Sequence, residues 1–172
     1  MRRLALIAVA LLAWASPAQA APVPSTTELW LFGGVAHEVA DFEEFSLAAG
    51  LAANYLLSSR LALELDASYA LRLGEPFEAA VTTATVDLVY HVNPRDNGVF
   101  YLAAGGGGAW FHAADGGIDN HSTGAGVAAL GVKIYLGARI LLRVDSRYFY
   151  APSPFTDHAL LNRTTLGIGV RF

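Results

Sequence analysis

The sequence predicts an all-β protein, an eight-stranded antiparallel up-and-down transmembrane β-barrel, and three observations predict it. Eight segments alternate apolar with polar or small residues at period two, which sets one face of each in an apolar medium. The connections between them are short and mostly longer in turn, as in barrels with a plain end and a looped end. The chain is 54% hydrophobic with mean hydropathy +0.40, yet no run after residue 20 is long and apolar enough for a spanning helix. Closed strands are then the remaining way across a bilayer.

The chain begins with Arg2 and Arg3, an apolar run from Leu4 to Ala15, and the small-x-small triplet Ala18-Gln19-Ala20. That order describes a secretory signal peptide over 1–20, with the barrel domain over 21–172. Cysteine is absent, which excludes disulfides, thiolate chemistry and a lipidated amino terminus. Without the signal, nine Lys+Arg stand against fifteen Asp+Glu, a balance that argues against nucleic acid as a partner.

The strands follow in order. The first is expected over about Glu28 to Ala36. The second, Ser46 to Leu57, places Leu47, Leu51, Tyr55 and Leu57 on one face. The third, Leu61 to Leu73, sets Leu61, Leu63, Leu65 and Tyr69 against Glu64, Asp66, Ser68 and Arg72. The fourth, Ala79 to Val92, sets Val86, Leu88 and Tyr90 against Thr83, Thr85 and Asp87. The fifth, Val99 to Ala113, loses its pattern at Gly105 to Gly108. The sixth, Gly124 to Leu136, carries Lys133 opposite Leu130, Val132 and Ile134. The seventh, Ile140 to Tyr150, sets Leu142, Val144 and Tyr148 against Arg143, Asp145 and Arg147. The eighth, Arg163 to Phe172, puts Leu166, Ile168, Val170 and Phe172 on one face.

Short turns are expected at 58–60, 93–98 and 137–139. Longer connections are expected at His37 to Phe45, Ala114 to Thr123 and Ala151 to Asn162, with a brief one at Gly74 to Glu78. Glycine at 17 positions with frequent Thr, Tyr and Val opposes helices. The rival architecture is a soluble, lipocalin-like ligand-binding barrel of the periplasm, with its apolar face inward. Against it, the polar faces are rich in Gly, Ala and Ser, which suit a crowded lumen. Aromatics also cluster near strand ends, Tyr55, Tyr90, Phe100 and Phe172 at one level and Tyr69, Tyr148 and Tyr150 at the other, as interfacial girdles do.

The hairpin Gly131-Val132-Lys133-Ile134-Tyr135-Leu136 … Leu141-Leu142-Arg143-Val144-Asp145-Ser146-Arg147-Tyr148 and the terminal Val170-Arg171-Phe172 resemble the OmpA/OmpX-type outer-membrane β-barrel domain family. The resemblance covers residues 21–172 and is architectural, and Thr164 departs from it at a position that is often aromatic. It implies the cell outer membrane of a Gram-negative envelope, contact with outer-membrane lipids and lipopolysaccharide, and a monomer. It also implies that Leu166, Ile168, Val170 and Phe172 form the signal read by the barrel assembly machinery.

Candidate site residues are the charges on the inward faces. Strands three and seven lie opposite each other in an eight-stranded barrel, and Glu64 and Arg143 each stand four residues above their turn. Glu64 and Asp66 are therefore expected to meet Arg143 and Arg147 across the bore, beside Asp145, with Asp87 and Lys133 joining the network. Charges held out of bulk water demand partners, so a satisfied lumen plug is the reading set against a gated ion pore. Glu28 and Arg171 are expected to pair across the closing seam, which requires Trp30 and Phe32 to point inward as well.

No catalytic residue, cofactor site or metal site is assigned. His37, His91, His112, His121 and His158 lack metal-ligand spacing, and the acidic run Glu38, Asp41, Glu43 and Glu44 reads as a solvated loop. His121-Ser122 are contiguous, so they point apart on an extended chain and no acid orients the histidine. Phe42, Phe45, Phe77, Trp110 and Phe155 read as the upper girdle, or as an apolar entry for small hydrophobic molecules. The function expected is a non-enzymatic structural or surface-interaction role, with a narrow channel for ions or small hydrophobic compounds as the alternative.

Overall fold

The structure is a computed structural model and describes residues 22–38, 41–72, 79–94, 97–113, 121–152 and 159–172; of residues 38, 41–44, 72, 79, 113 and 159 the backbone alone is described. Eight strands form in chain order: β1 Thr27–Glu38, β2 Asp41–Leu56, β3 Leu61–Arg72, β4 Ala79–His91, β5 Gly98–Ala113, β6 His121–Tyr135, β7 Ile140–Ala151 and β8 Ala159–Arg171. Each pairs antiparallel with its neighbour in sequence. β1 closes on β8 from Glu28 opposite Arg171 to Glu38 opposite Leu161, so no sheet edge is left.

The period-two pattern decides which way each side chain points. Leu31, Leu51, Leu65, Leu130 and Leu166 are more than half exposed on the outer face, while Glu64, Asp87, Lys133 and Arg147 are fully buried within. A soluble barrel requires the inverse, so the lipocalin-like alternative fails. The girdle residues Tyr55, Tyr90, Phe100, Phe172, Tyr69, Tyr148 and Tyr150 are all exposed outward.

Both described ends of the chain and the short β2–β3, β4–β5 and β6–β7 connections lie at one end. Gly137 takes φ 143° in the β6–β7 turn, a conformation that glycine adopts without a Cβ penalty. Each turn is tied to the neighbouring strand beyond its own hairpin: the His91 amide of β4 donates to the Arg60 carbonyl, Tyr135 of β6 to Asn97 and Arg171 of β8 to Arg139.

The opposite end differs from expectation. His37–Glu38 and Asp41–Phe45 belong to β1 and β2, His121–Thr123 to β6 and Ala159–Asn162 to β8. Three expected loops are thus shorter, because the hairpins extend their backbone ladders beyond the stretches that alternate in sequence. The β1–β2 register slips between His37 and Glu38 at this end. Residues 1–20, the Gly74 to Glu78 connection, Phe77, Phe155 and His158 lie outside the described residues, as do the side chains of Glu38, Asp41, Phe42, Glu43 and Glu44.

The first strand resolves the difficulty of Trp30 and Phe32. Both point inward and are nearly fully buried. Phe32 lies between Gly50 and Gly167 on the adjoining strands, and Trp30 between Ala52 and Gly169. A Cβ added at Gly169 would stand 2.6 Å from the Trp30 ring, and one at Gly50 2.5 Å from the Phe32 ring. The large rings fit because small residues face them, the volume complementarity that a narrow lumen demands.

Candidate functional site

The lumen is built in layers. Near the turn end, Leu56, Ala62 and Val89 group with Tyr101, Ala103 and Ala129, and Val99 and Leu141 group with Trp30 and Tyr135. Toward the other end, Ala109, Phe111, Ala125 and Ala151 form a second apolar layer, with Val81 and Leu161 against it. Most of the charged residues lie between them, while Glu28, Lys133 and Arg171 are set among the turn-end residues Trp30, Tyr101 and Tyr135.

Glu64 on β3 receives two hydrogen bonds from Arg143 on β7, Nη1 to Oε2 at 2.6 Å and Nη2 to Oε1 at 2.9 Å. Arg147 Nη2 donates to the same carboxylate, and Asn54 Nδ2 adds a bond of 3.1 Å. Arg143 Nη2 also reaches Asp145 at 2.6 Å. Arg147 is the hub: it donates to Glu64, Asp87 and Asp145 and lies 3.7 Å from Asp66. Tyr101 and Thr165 donate to the two Asp145 oxygens at 3.0 and 2.6 Å. Planar guanidinium forks suit such buried, multiply shared carboxylates.

Lys133 stands apart from this set. Its ammonium pairs with Glu28 at 2.8 Å, and Tyr135 donates to the other Glu28 oxygen at 2.8 Å. Glu28 does face Arg171 across the seam in register, but its hydrogen bonds go to Lys133 and Tyr135 instead. The Arg171 guanidinium donates to the Ala138 carbonyl and lies over the Tyr135 ring. A second outlier is Arg163, which β8 turns inward to bond Asp66 at 2.9 Å over the rings of Phe32 and Phe149.

Sequence reasoning left Arg163 out of the network. Its inward parity with Thr165 and Gly167 was the available signal. Five carboxylates (Glu28, Glu64, Asp66, Asp87, Asp145) and five cations (Lys133, Arg143, Arg147, Arg163, Arg171) thus stand among the described buried residues, and their formal charges balance. Rings line it too: Arg143 lies 5.0 Å from the Tyr101 centroid and 5.7 Å from that of Trp30, contacts that favour a desolvated cation. Gly105 and Gly131 leave the space. A Cβ at Gly131 would stand 2.6 Å from the Tyr101 hydroxyl, and one at Gly105 would collide with Asp87.

The histidines are dispersed. His91 is buried at the turn end, Nδ1 3.3 Å from the Ser59 carbonyl. His112 meets Thr82 at 3.0 Å, His121 lies beside Phe111 and His37 beside Phe45. Among the described residues no three His, Asp or Glu gather as metal ligands. Phe45 and Trp110 are exposed outward, as girdle residues are. The outward Leu166, Ile168, Val170 and Phe172 form the last stripe of β8, with Phe172 73% exposed.

No family model and no curated sequence matches the chain. Solved structures do match its fold. Neisserial surface protein A is 14% identical with TM-score 0.72, over 86% of this chain and 96% of that one. The N-terminal β-barrel domain of Pseudomonas aeruginosa OprF is 17% identical with TM-score 0.64, over 88% and 100%. Ail, the attachment invasion locus protein of Yersinia pestis, is 15% identical with TM-score 0.55, over 87% and 100%. The chain has the fold of eight-stranded outer-membrane barrels.

Proposed function

We propose that this protein is an integral outer-membrane barrel of a Gram-negative envelope, exported by residues 1–20 and closed to ions, with a non-enzymatic structural or surface-interaction role. The charge-balanced, hydrogen-bonded network, most of it held between two apolar layers, carries this reading. Ion passage would require breaking several buried pairs at once, each strongly destabilising when one partner is lost. The leucine-rich outer face meets hydrocarbon, and the two aromatic levels sit at its interfaces.

The surface role follows from charge. By sequence, the strand ends and connections opposite the turns carry Glu38, Asp41, Glu43, Glu44, Glu75, Glu78, Asp115, Asp119 and Asp157 against Arg72. Such an end attracts divalent cations that bridge lipopolysaccharide phosphates, or a basic partner. The last strand supplies Leu166, Ile168, Val170 and Phe172 to the assembly machinery.

A gated channel is the second reading, favoured by the four carboxylates within reach of Arg147, among which it has alternative partners. Membrane fractionation with gel migration before and after boiling tests the first reading. It expects outer-membrane density and heat-modifiable mobility; a folded protein free in buffer without detergent would refute it.

A further inference from the structure

At the foot of β8, beside the β6–β7 turn, a hollow of about 540 Å³ is lined by Val23, Thr26, Arg139, Val170, Arg171 and Phe172. Val170 also lines a second hollow, about 410 Å³, which runs up the β1–β8 seam past Leu29 and Ile168. A third, about 370 Å³, shares Leu31 and Ile168 with the second and is floored by Gly33 and Gly167. The three adjoin as one furrow that starts at the turn end. It stops below Val35 and Thr164, the next outward pair in the seam ladder. The missing side chain at Gly33 opens its top: a Cβ there would meet nothing closer than the Ala48 carbonyl oxygen at 3.7 Å.

The furrow changes character along its length. Its upper two hollows are walled by apolar side chains, Leu29, Leu31, Leu166, Ile168 and Val170 among them. Its foot carries two guanidinium groups. Arg139 is exposed there, and Arg171 is fixed by two hydrogen bonds to the Ala138 carbonyl, at 3.1 and 3.0 Å. This rim is net positive even with the terminal carboxylate of Phe172 counted. The whole turn end shares the sign: by sequence its three short connections carry Arg60, Arg95 and Arg139 against Asp96. A basic foot below an apolar channel is the charge pattern of an anionic lipid in reverse.

From Phe172 up to Leu166 the chain runs about 20 Å, or about 15 Å of depth at barrel tilt. That is half of a hydrocarbon core about 30 Å thick, the reach of one acyl chain in one leaflet. Short turns of an outer-membrane barrel face the periplasm, so the furrow lies in the leaflet built of glycerophospholipids. We infer that it holds one anionic glycerophospholipid of that leaflet, an acyl chain laid past Leu29, Ile168 and Leu31 to Gly33 and the phosphate on Arg139, in the field of Arg171. A guanidinium fork matches phosphate oxygens. A zwitterionic headgroup would bring its ammonium against the same two arginines. The inference rests on the membrane reading above and specifies the lipid and its leaflet.

The test is native mass spectrometry of the refolded, delipidated barrel in detergent, with added dioleoyl phosphatidylglycerol or dioleoyl phosphatidylethanolamine. Unboiled gels first confirm that each variant is folded. The expected result is one phosphatidylglycerol retained on the unaltered chain, several-fold above phosphatidylethanolamine. Arg139→Gln brings the first lipid down to the level of the second, and Gly33→Leu, which fills the top of the furrow, lowers both several-fold. Two controls leave retention unchanged: Arg60→Gln, at the exposed arginine of the β2–β3 turn, and Gly126→Leu, on the β5–β6 wall where a Cβ meets nothing within 4 Å. Equal retention of the two lipids by the unaltered chain, or retention that survives Arg139→Gln or Gly33→Leu, would overturn the proposal. So would an equal loss on either control, or a dimer lost on Gly33→Leu in place of a lipid adduct. In each case a folded, detergent-dependent barrel leaves the membrane reading standing.

Discussion

Glu64 and Arg143, on strands four apart in an eight-strand ring, lock face to face across the bore through two hydrogen bonds of 2.6 and 2.9 Å. Glu64 also serves Arg147 and Asn54, so its loss takes a partner from two buried cations and leaves the buried network with one positive charge in excess. Glu64→Ala is expected to lower the unfolding free energy by about 3–5 kcal/mol. Thr85→Ala, which removes one neutral donor 3.3 Å from Asp87, is expected to cost about 1 kcal/mol. Urea titration of the refolded barrel, read by tryptophan fluorescence, measures both.

Volume matching between strands predicts a second contrast. Gly169→Ala drives a methyl into the Trp30 ring and the Leu29 carbonyl, so a loss of about 1–3 kcal/mol is expected. Gly126→Ala meets open space and should change stability by no more than about 0.5 kcal/mol. The same titration decides it.

The outer face should tolerate charge according to depth. Leu65 lies in the middle of β3 and Tyr55 next to the β2–β3 turn, both exposed outward. Leu65→Arg is expected to cost about 2–4 kcal/mol in bilayers, and Tyr55→Arg about 0–1 kcal/mol. Equal costs in lipid vesicles would mean that the face does not cross hydrocarbon.

Deleting Phe172 separates assembly from stability. The ring is largely exposed and contributes no lumen contact. Outer-membrane levels in cells should fall several-fold, with a urea midpoint of the refolded protein close to that of the unaltered chain. A matching fall in both would make Phe172 a packing residue instead.

Much of this molecule was legible in its sequence, for a physical reason. Strands that divide lipid from lumen must alternate, so β3, β4 and β7 announced their faces, and parity placed Glu64, Asp66, Asp87, Arg143, Asp145 and Arg147 inside. Pairing across the lumen was less legible. Lys133 bonds Glu28, and Asp66 bonds Arg163, because the stagger of a closed barrel sets which inward residues share a level, and stagger is not written in any one strand. Trp30 and Phe32 looked too large for the interior until Gly50, Gly167 and Gly169 fell opposite them in register. The hairpin extensions escaped notice because strand residues clear of the apolar belt have no reason to alternate.

The central claim is that charge pairing closes this barrel, and planar-bilayer recording of the refolded, unaltered protein tests it most directly. A silent membrane, with current steps appearing only when Arg147 is replaced by alanine, is the predicted result. Regular single-channel openings from the unaltered protein would contradict it.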